Sequence, residues 1–295
     1  MMILVLGEIL FDELPEGNRP GGAPFNFARH LNHLGCDVRF VSSTGRDENG
    51  VALLKVLLES GLNPNWVQRH PKAATGGVSV TLNKYGVPAY EIAANVAYDF
   101  IDFEELPAMS PELVYFGSLI QRTAGGRKRL HRFLETLPES VLRFYDVNFR
   151  DGCVSKEIVV PSLEQTDVLK LNDEELPMIG KLTGSALTED KLADWLMERF
   201  SIRHLALTRG ADGCALYCDG QKFEEPPGPL KKEDVIDTVG AGDSFAAVLA
   251  HGILTGTNPR QILKRATRLA EFVCTVPGAV PDDDSFYQSL LENPS

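Results

Sequence analysis

Asp237 and Asp243 stand on either side of a bare turn, Gly240-Ala241-Gly242, and Asp243 opens the apolar run from Ser244 to Leu254. Glycines clear side chains away from the backbone, and the N-terminus of the following helix offers unpaired N–H groups and the positive end of its dipole. A phosphate can rest there without a lysine. A carboxylate beside such a cradle is placed to take the proton of an attacking hydroxyl. Aspartate is also a good helix N-cap, which accounts for Asp243 but for neither Asp237 nor the Gly-Ala-Gly run.

Five other segments carry residues of the same kind. Gly21-Gly22-Ala23-Pro24-Phe25-Asn26 opens a helix predicted over Phe25–Leu34, where the glycines allow a ligand close to the backbone and Asn26 can donate to and accept from a hydroxyl. Asp12 ends a strand-like segment, Ile9–Leu14, a place where aspartate is also common without function. In Tyr145-Asp146-Val147-Asn148-Phe149-Arg150 a strand ends with polar residues on alternate positions, which predicts Asp146, Asn148 and Arg150 on one side, suited to hydroxyls or phosphate. Lys170-Leu171-Asn172-Asp173-Glu174-Glu175 reads as a helix start with an Asn cap and an acidic first turn. Thr208-Arg209-Gly210-Ala211-Asp212-Gly213 follows a strand and carries the Asp-Gly signal of a hairpin turn. No GxxxxGK[ST] occurs, and the first strand reads Val5-Leu6-Gly7-Glu8-Ile9 and continues as strand without a GxGxxG, which disfavours a P-loop or nicotinamide enzyme.

The elements that must hold these residues alternate in a βαβ rhythm. Strands are predicted at Ile3–Leu6, Val38–Ser42, Leu113–Phe116, Leu142–Asp146, Val168–Leu171 and His204–Thr208. Helices are predicted at Phe25–Leu34, Gly50–Ser60, Gly126–Thr136, Thr188–Phe200 and Asp243–Leu254. Gly76–Ala93 breaks the rhythm: it alternates around a Lys84-Tyr85-Gly86 turn signal and reads as a β-hairpin, which with Ile9–Leu14 would form a small sheet covering a ligand at the carboxyl ends of the parallel strands.

The 295 residues fit one α/β domain, and a formal charge of −12 with no block of Lys and Arg argues against nucleic acid or an anionic membrane as partner. The apolar N-terminus meets Glu8 and Asp12 too soon for a leader, and no apolar run reaches the roughly 18 residues of a membrane span, so the expectation is a cytoplasmic enzyme. The five cysteines are scattered, and Cys214 and Cys218 read as small buried strand residues rather than a zinc pair. His30 and His33 share a helix face and read as packing or surface.

In this order, GGAPFNFARHLNHLG with Gly45, Asp47 and Gly50 after it, and DTVGAGDSF, resemble the two signatures of the ribokinase or PfkB family of carbohydrate kinases. The resemblance runs from Ile3 to about Pro281. It implies transfer of the ATP γ-phosphoryl group to a sugar hydroxyl on a Rossmann-like α/β core, a mainly parallel sheet flanked by helices, with a small β-sheet lid. The whole chain, 1–295, would be one kinase domain with a lid from about 9–19 and 76–98. Asp243 would be the catalytic base, with the N–H groups of Gly240, Ala241 and Gly242 as the anion hole. Asp12, Gly21, Gly22, Asn26, Asn148 and Arg150 would contact the sugar. Asp237 would hold a sugar hydroxyl or support a monovalent cation such as potassium. Asn172 and Glu175 match an NxxE motif whose glutamate orders hydrated magnesium with ATP, and Thr208, Gly210 and Gly213 match the loop for nucleotide phosphate and ribose. Relatives often dimerise through the lid; here Val78, Val80 and Leu82 would face a partner or the chain's own sugar. GGAPFNFA and YDVNFR look most like bacterial fructokinases, although kinases of 2-keto-3-deoxygluconate share DxNxR, and Phe25 and Phe27 stand where many relatives have smaller residues. A reading of another class, a non-catalytic sugar- or nucleotide-binding protein on this fold, meets a complete motif and gains nothing from it.

Overall fold

The computed structural model describes residues 1–14, 17–82, 88–150, 152–281 and 284–292. Its strands are β1 (Met2–Leu6), β2 (Leu10–Leu14), β3 (Gly17–Gly21), β4 (Asp37–Thr44), β5 (Val67–Arg69), β6 (Gly76–Leu82), β7 (Pro88–Ile92), β8 (Leu113–Gly117), β9 (Leu142–Asp146), β10 (Val168–Asn172), β11 (His204–Thr208), β12 (Cys214–Cys218) and β13 (Gln221–Glu225). Its α-helices are α1 (Ala23–His33), α2 (Glu48–Glu59), α3 (Ala124–Thr136), α4 (Lys156–Glu164), α5 (Glu175–Thr183), α6 (Glu189–Phe200), α7 (Ala241–Leu254), α8 (Pro259–Cys274) and α9 (Asp284–Glu292).

Nine strands form the main sheet in the order β13-β12-β11-β10-β9-β8-β1-β4-β5. From β5 to β11 neighbours run parallel, and β12 and β13 add an antiparallel edge. The inner strands β1 and β8 are apolar throughout because helices cover both faces of the sheet. In β1, Ile3 and Val5 enter a core with α1, α2, α7 and α8, while Leu4 and Leu6 enter the opposite core with α3 to α6. All four are fully buried. Truncating such a leucine to alanine costs about 2–5 kcal/mol. Cys214 and Cys218, on β12, are buried.

A second sheet, β3-β2-β6-β7, stands apart. The hairpin of β6 and β7 is the one expected at Gly76–Ala93; its turn signal at Lys84-Tyr85-Gly86, and the side chains of Val80 and Leu82, lie outside the described residues. Val78 is buried in the core of its own chain. The first strand does not continue past Gly7 as expected. It stops at Leu6, and after Gly7-Glu8-Ile9 the chain joins the second sheet as β2, antiparallel to β3 and parallel to β6. The cause is local: a Cβ at Gly7 would lie 2.1 Å from Pro24 Cγ, so α1 packs against the point of departure. Among the described residues no helix is long and apolar enough to cross a membrane.

The start of β6 is tied to the main body through Asp47. As N-cap of α2 it accepts from Gly50 N at 2.8 Å, and it also accepts from Thr75 N at 2.8 Å and Thr75 Oγ1 at 2.5 Å. Gly45 N donates in turn to Thr75 Oγ1 at 2.9 Å. The Gly45, Asp47 and Gly50 of the first signature thus clamp the base of the small sheet.

Candidate active site

The helix after the bare turn begins at Ala241, two residues earlier than expected, because Gly240 takes a left-handed conformation (φ +82°) and itself occupies the N-cap position. Asp243 is therefore not the cap. It lies in the first turn of α7, buried, and its Oδ2 accepts from Asn26 Nδ2 of α1 at 2.8 Å. Of the turn's donors, Ala241 N–H is drawn toward Thr238 O at 3.3 Å, while Gly240, Gly242 and Asp243 N–H donate to no backbone oxygen among the described residues. The cradle is open and its carboxylate is fixed by an amide.

Gly240 is walled in. A Cβ there would come within 2.5 Å of Ala279, and the Ala279 carbonyl accepts from or faces His30 Nε2 at 3.1 Å. His30, which the sequence reads as packing or surface, is wholly buried, with Nδ1 2.7 Å from Tyr287 Oη. Burial pushes its pKa down to about 3, so the ring is neutral. One face of α1 thus holds both Asp243, through Asn26, and the wall behind Gly240, through His30.

At the N-terminus of α1, Gly22 has φ +114°, and a Cβ there would lie 2.6 Å from Glu8 O. Asp12 Oδ2 fills the space of a Gly21 side chain, at 2.6 Å from its Cβ position. Gly21, Gly22, Asp12 and Asn26 therefore meet where the chain passes from the main sheet into β2 of the second sheet. Glu8 joins them unforeseen. It is buried, and its Oε2, like Asn26 Oδ1 and Tyr98 Oη, has no hydrogen-bond partner among the described residues. Burial raises Glu8 to a pKa of about 7, against the opposing pull of backbone hydrogen bonding and of Arg150, and raises Asp12 likewise. Burial also lifts Asp243 to about 6, Asp146 adding to the shift while Asn26, Lys170 and Arg150 oppose it. A charged residue closing an apolar strand was the signal for Glu8 in the sequence.

The expectation that Asp146, Asn148 and Arg150 share a side rests on strand alternation, and alternation ends at Asp146. Asn148 takes φ +37°, so the chain turns. Arg150 is exposed and donates to Asn148 Oδ1 at 2.6 Å, and its charge acts on Glu8, Asp12 and Asp243. Asp146 is fully buried, accepting from Lys170 Nζ at 3.0 Å and Tyr115 Oη at 3.2 Å, and its charge, like that of Arg150, acts on Asp243.

Asn172 and Thr208 are register partners at the carboxyl ends of β10 and β11. Asn172 Oδ1 accepts from Glu174 N at 3.0 Å and Glu175 N at 2.8 Å, while Glu175 Oε2 accepts from Asn172 N and Oε1 from Phe149 N, both at 2.8 Å. The acidic helix start is a reciprocal cap that also anchors the loop after β9. Among the described residues no group of three or more His, Cys, Asp or Glu forms a protein-built metal cage. Magnesium that arrives with a nucleotide needs only one or two carboxylates, with water and phosphates completing its shell, so Glu175 fits that demand. Gly210 (φ +53°) and Gly213 (φ +87°) sit in the loop that turns β11 into antiparallel β12, so the segment is also the hairpin that Asp212-Gly213 signals. Asp237 stands apart from Asp243: its Oδ1 accepts from Val239 N at 3.0 Å, shaping the approach to Gly240.

The arrangement can seat an anion on backbone donors beside a carboxylate that takes up a proton, at the carboxyl ends of parallel strands. A family model described as pfkB family carbohydrate kinase matches residues 16–285. The chain is 27% identical over 322 residues to "Probable fructokinase-4" of Arabidopsis thaliana, covering 99% of this chain and 97% of that protein. The fructokinase of Xylella fastidiosa, solved with bound ATP, superposes with a TM-score of 0.86 at 21% identity, over 99% of this chain and 98% of that one. A double mutant of the fructokinase of Vibrio cholerae, solved with fructose, ADP and potassium, gives 0.83 at 21% identity, over 98% of each chain. At these identities the solved structures establish a shared fold.

Proposed function

The chain belongs to the pfkB family of carbohydrate kinases, an ATP-dependent sugar phosphotransferase, and on that premise we propose that its sugar is fructose. Fructose is supported by the fructokinase names of its relatives, and phosphoryl transfer by Asp243, held by Asn26 at the mouth of a helix whose Gly242 amide is open. In this reading Asp243 takes the proton of the attacking sugar hydroxyl, and Gly240, Ala241 and Gly242 receive the transferring phosphoryl, the Ala241 N–H turning away from Thr238 to do so. Asp12, Gly21, Gly22, Asn26, Asn148, Arg150 and Asp237 line the sugar side. Asn172, Thr208, Gly210 and Gly213 line the nucleotide side, with Glu175 reaching magnesium through water and Asp237 available to potassium. Bound with ATP, magnesium neutralises phosphate charge. The whole chain acts as one kinase domain with the second sheet as its lid, in the cytoplasm, as a homodimer through that sheet; the mass in solution by sedimentation tests the last point.

A neutral sugar is favoured over 2-keto-3-deoxygluconate by the surroundings of Arg150. Its guanidinium is engaged by Asn148 Oδ1 at 2.6 Å and Phe149 O at 3.0 Å, and Asp12 and Asp243, which feel its charge, would repel the carboxylate of a sugar acid. The decisive experiment is a panel of fructose, ribose, 2-keto-3-deoxygluconate and nucleosides with ATP and magnesium, in sodium and in potassium. The highest kcat/KM for fructose is expected; a higher value for the sugar acid would overturn the assignment. No turnover of any member, together with unchanged ligand binding by Asp243→Asn, would mean a binding protein.

A further inference from the structure

Lys170 interrupts the buried strand β10 between Leu169 and Leu171, both fully buried, and is itself only 5% exposed. Its ammonium has two neighbours that fix its place. One is Asp146 Oδ1 at 3.0 Å, itself steadied from the other oxygen by Tyr115 Oη. The other is Gly242: a Cβ built there would lie 3.2 Å from Lys170 Nζ. A side chain at 242 would thus press on a positive charge, which sits beside the turn whose Gly242 amide is open.

A buried lysine–aspartate pair contributes little net stability, because desolvation consumes most of the attraction, and an apolar pair of similar volume often serves the fold as well. The cluster also holds more carboxylates than this one lysine matches: Asp146, Glu175 and Asp243 all act on Lys170. A transferring phosphoryl would bring further negative charge to this place, and a backbone cradle answers it only with partial charges.

We infer that Lys170 is a catalytic residue, its ammonium reaching the equatorial oxygens of the transferring phosphoryl from beside Gly242 while Asp146 and Tyr115 hold it there. This rests on the kinase reading above. In the step, the bond from the γ-phosphorus to its bridging oxygen breaks and ADP leaves with the electron pair. The sugar oxygen bonds to phosphorus, its proton passes to Asp243, and Lys170 stays protonated throughout.

The test compares the parent, Lys170→Met, Lys170→Arg and the double variant Asp146→Asn/Lys170→Met, which removes both charges at nearly constant volume. Turnover is measured with the best sugar of the panel. Binding of magnesium–ADP, alone and with aluminium fluoride as a planar phosphoryl mimic, is measured by calorimetry in the presence of that sugar. The expected result is a fall in kcat of roughly 10²–10³-fold in Lys170→Met and the double variant, the scale of a lost oxyanion contact. Sugar KM stays within a few-fold, the fluoride complex weakens by a similar factor, magnesium–ADP alone binds as before, and Lys170→Arg recovers part of the loss. A double variant that turns over within about threefold of the parent, or that binds the fluoride complex equally well, overturns the inference and leaves Lys170 as a counterion of Asp146. If Lys170→Met does not fold, the double variant carries the comparison. A parent that phosphorylates nothing refutes the kinase reading instead.

Discussion

The side chains of Asn26 and Asp243, 217 positions apart in the chain, meet in a buried hydrogen bond of 2.8 Å with the amide donating to the carboxylate. The bond joins the N-terminal turn of α1 to that of α7, so the two glycine-rich signatures of the chain close on one point. It also aims the carboxylate, since an acceptor engaged on one oxygen presents the other in a fixed direction.

Replacing Asp243 by Asn keeps the volume and removes the proton acceptor. We expect kcat to fall by at least about 100-fold, with sugar affinity by calorimetry within a few-fold of the parent. A variant retaining a tenth of parental kcat would move the base elsewhere.

With Asp243 as the proposed base, its raised pKa of about 6 is expected to set the acid limb of the pH profile. The carboxylate form accepts the proton, so kcat/KM should rise with pH through about 6 and level above it, where an ordinary aspartate would already be level at pH 5. Asn26 stabilises the charged form, so Asn26→Leu should move the limb to higher pH, which a rate profile from pH 4.5 to 8.5 would resolve.

Glu8 makes a prediction about stability. Its folded-state pKa of about 7 exceeds the unfolded value of 4.5, so the folded state holds the extra proton between them, and stability falls as pH rises through that window. Glu8→Gln removes the penalty. Urea unfolding should show the variant more stable than the parent by about 1–3 kcal/mol at pH 8, with the advantage gone at pH 4.5. An advantage that did not change with pH would contradict this account of Glu8.

Asp47 accepts three hydrogen bonds at the junction of α2 and β6. Asp47→Ala should cost about 2–4 kcal/mol of stability, a lost cap plus the unpaired Thr75 amide and hydroxyl, and should speed amide exchange at Thr75 to Gly77 more than in β1. Equal acceleration in both places would show that the clamp is not local.

Much of this was legible in the sequence because it is carried by patterns. The six strands and five helices read from periodicity are present, and Asp12, Gly21, Gly22, Asn26 and Asp243 converge as their motifs imply. What periodicity missed are places where one residue changes the path. Gly7, pressed by Pro24, ends β1; Gly240, left-handed, starts α7 early and takes the cap from Asp243; Asn148, left-handed, ends the alternation that began in β9. Glu8 and Lys170 escaped for another reason. Each is a lone charge in apolar sequence, and its meaning lies in neighbours from distant strands and helices that no local window contains.

A cradle built from glycine has no wall of its own and borrows one. Ala279 fills the space against Gly240, His30 reaches the Ala279 carbonyl, and Tyr287 of α9 steadies His30. The strands and the sugar-side residues come from earlier in the chain. The shape of the cradle therefore depends on the segment around Ala279 and on α9 staying packed against α1, elements far from the glycine turn in the chain.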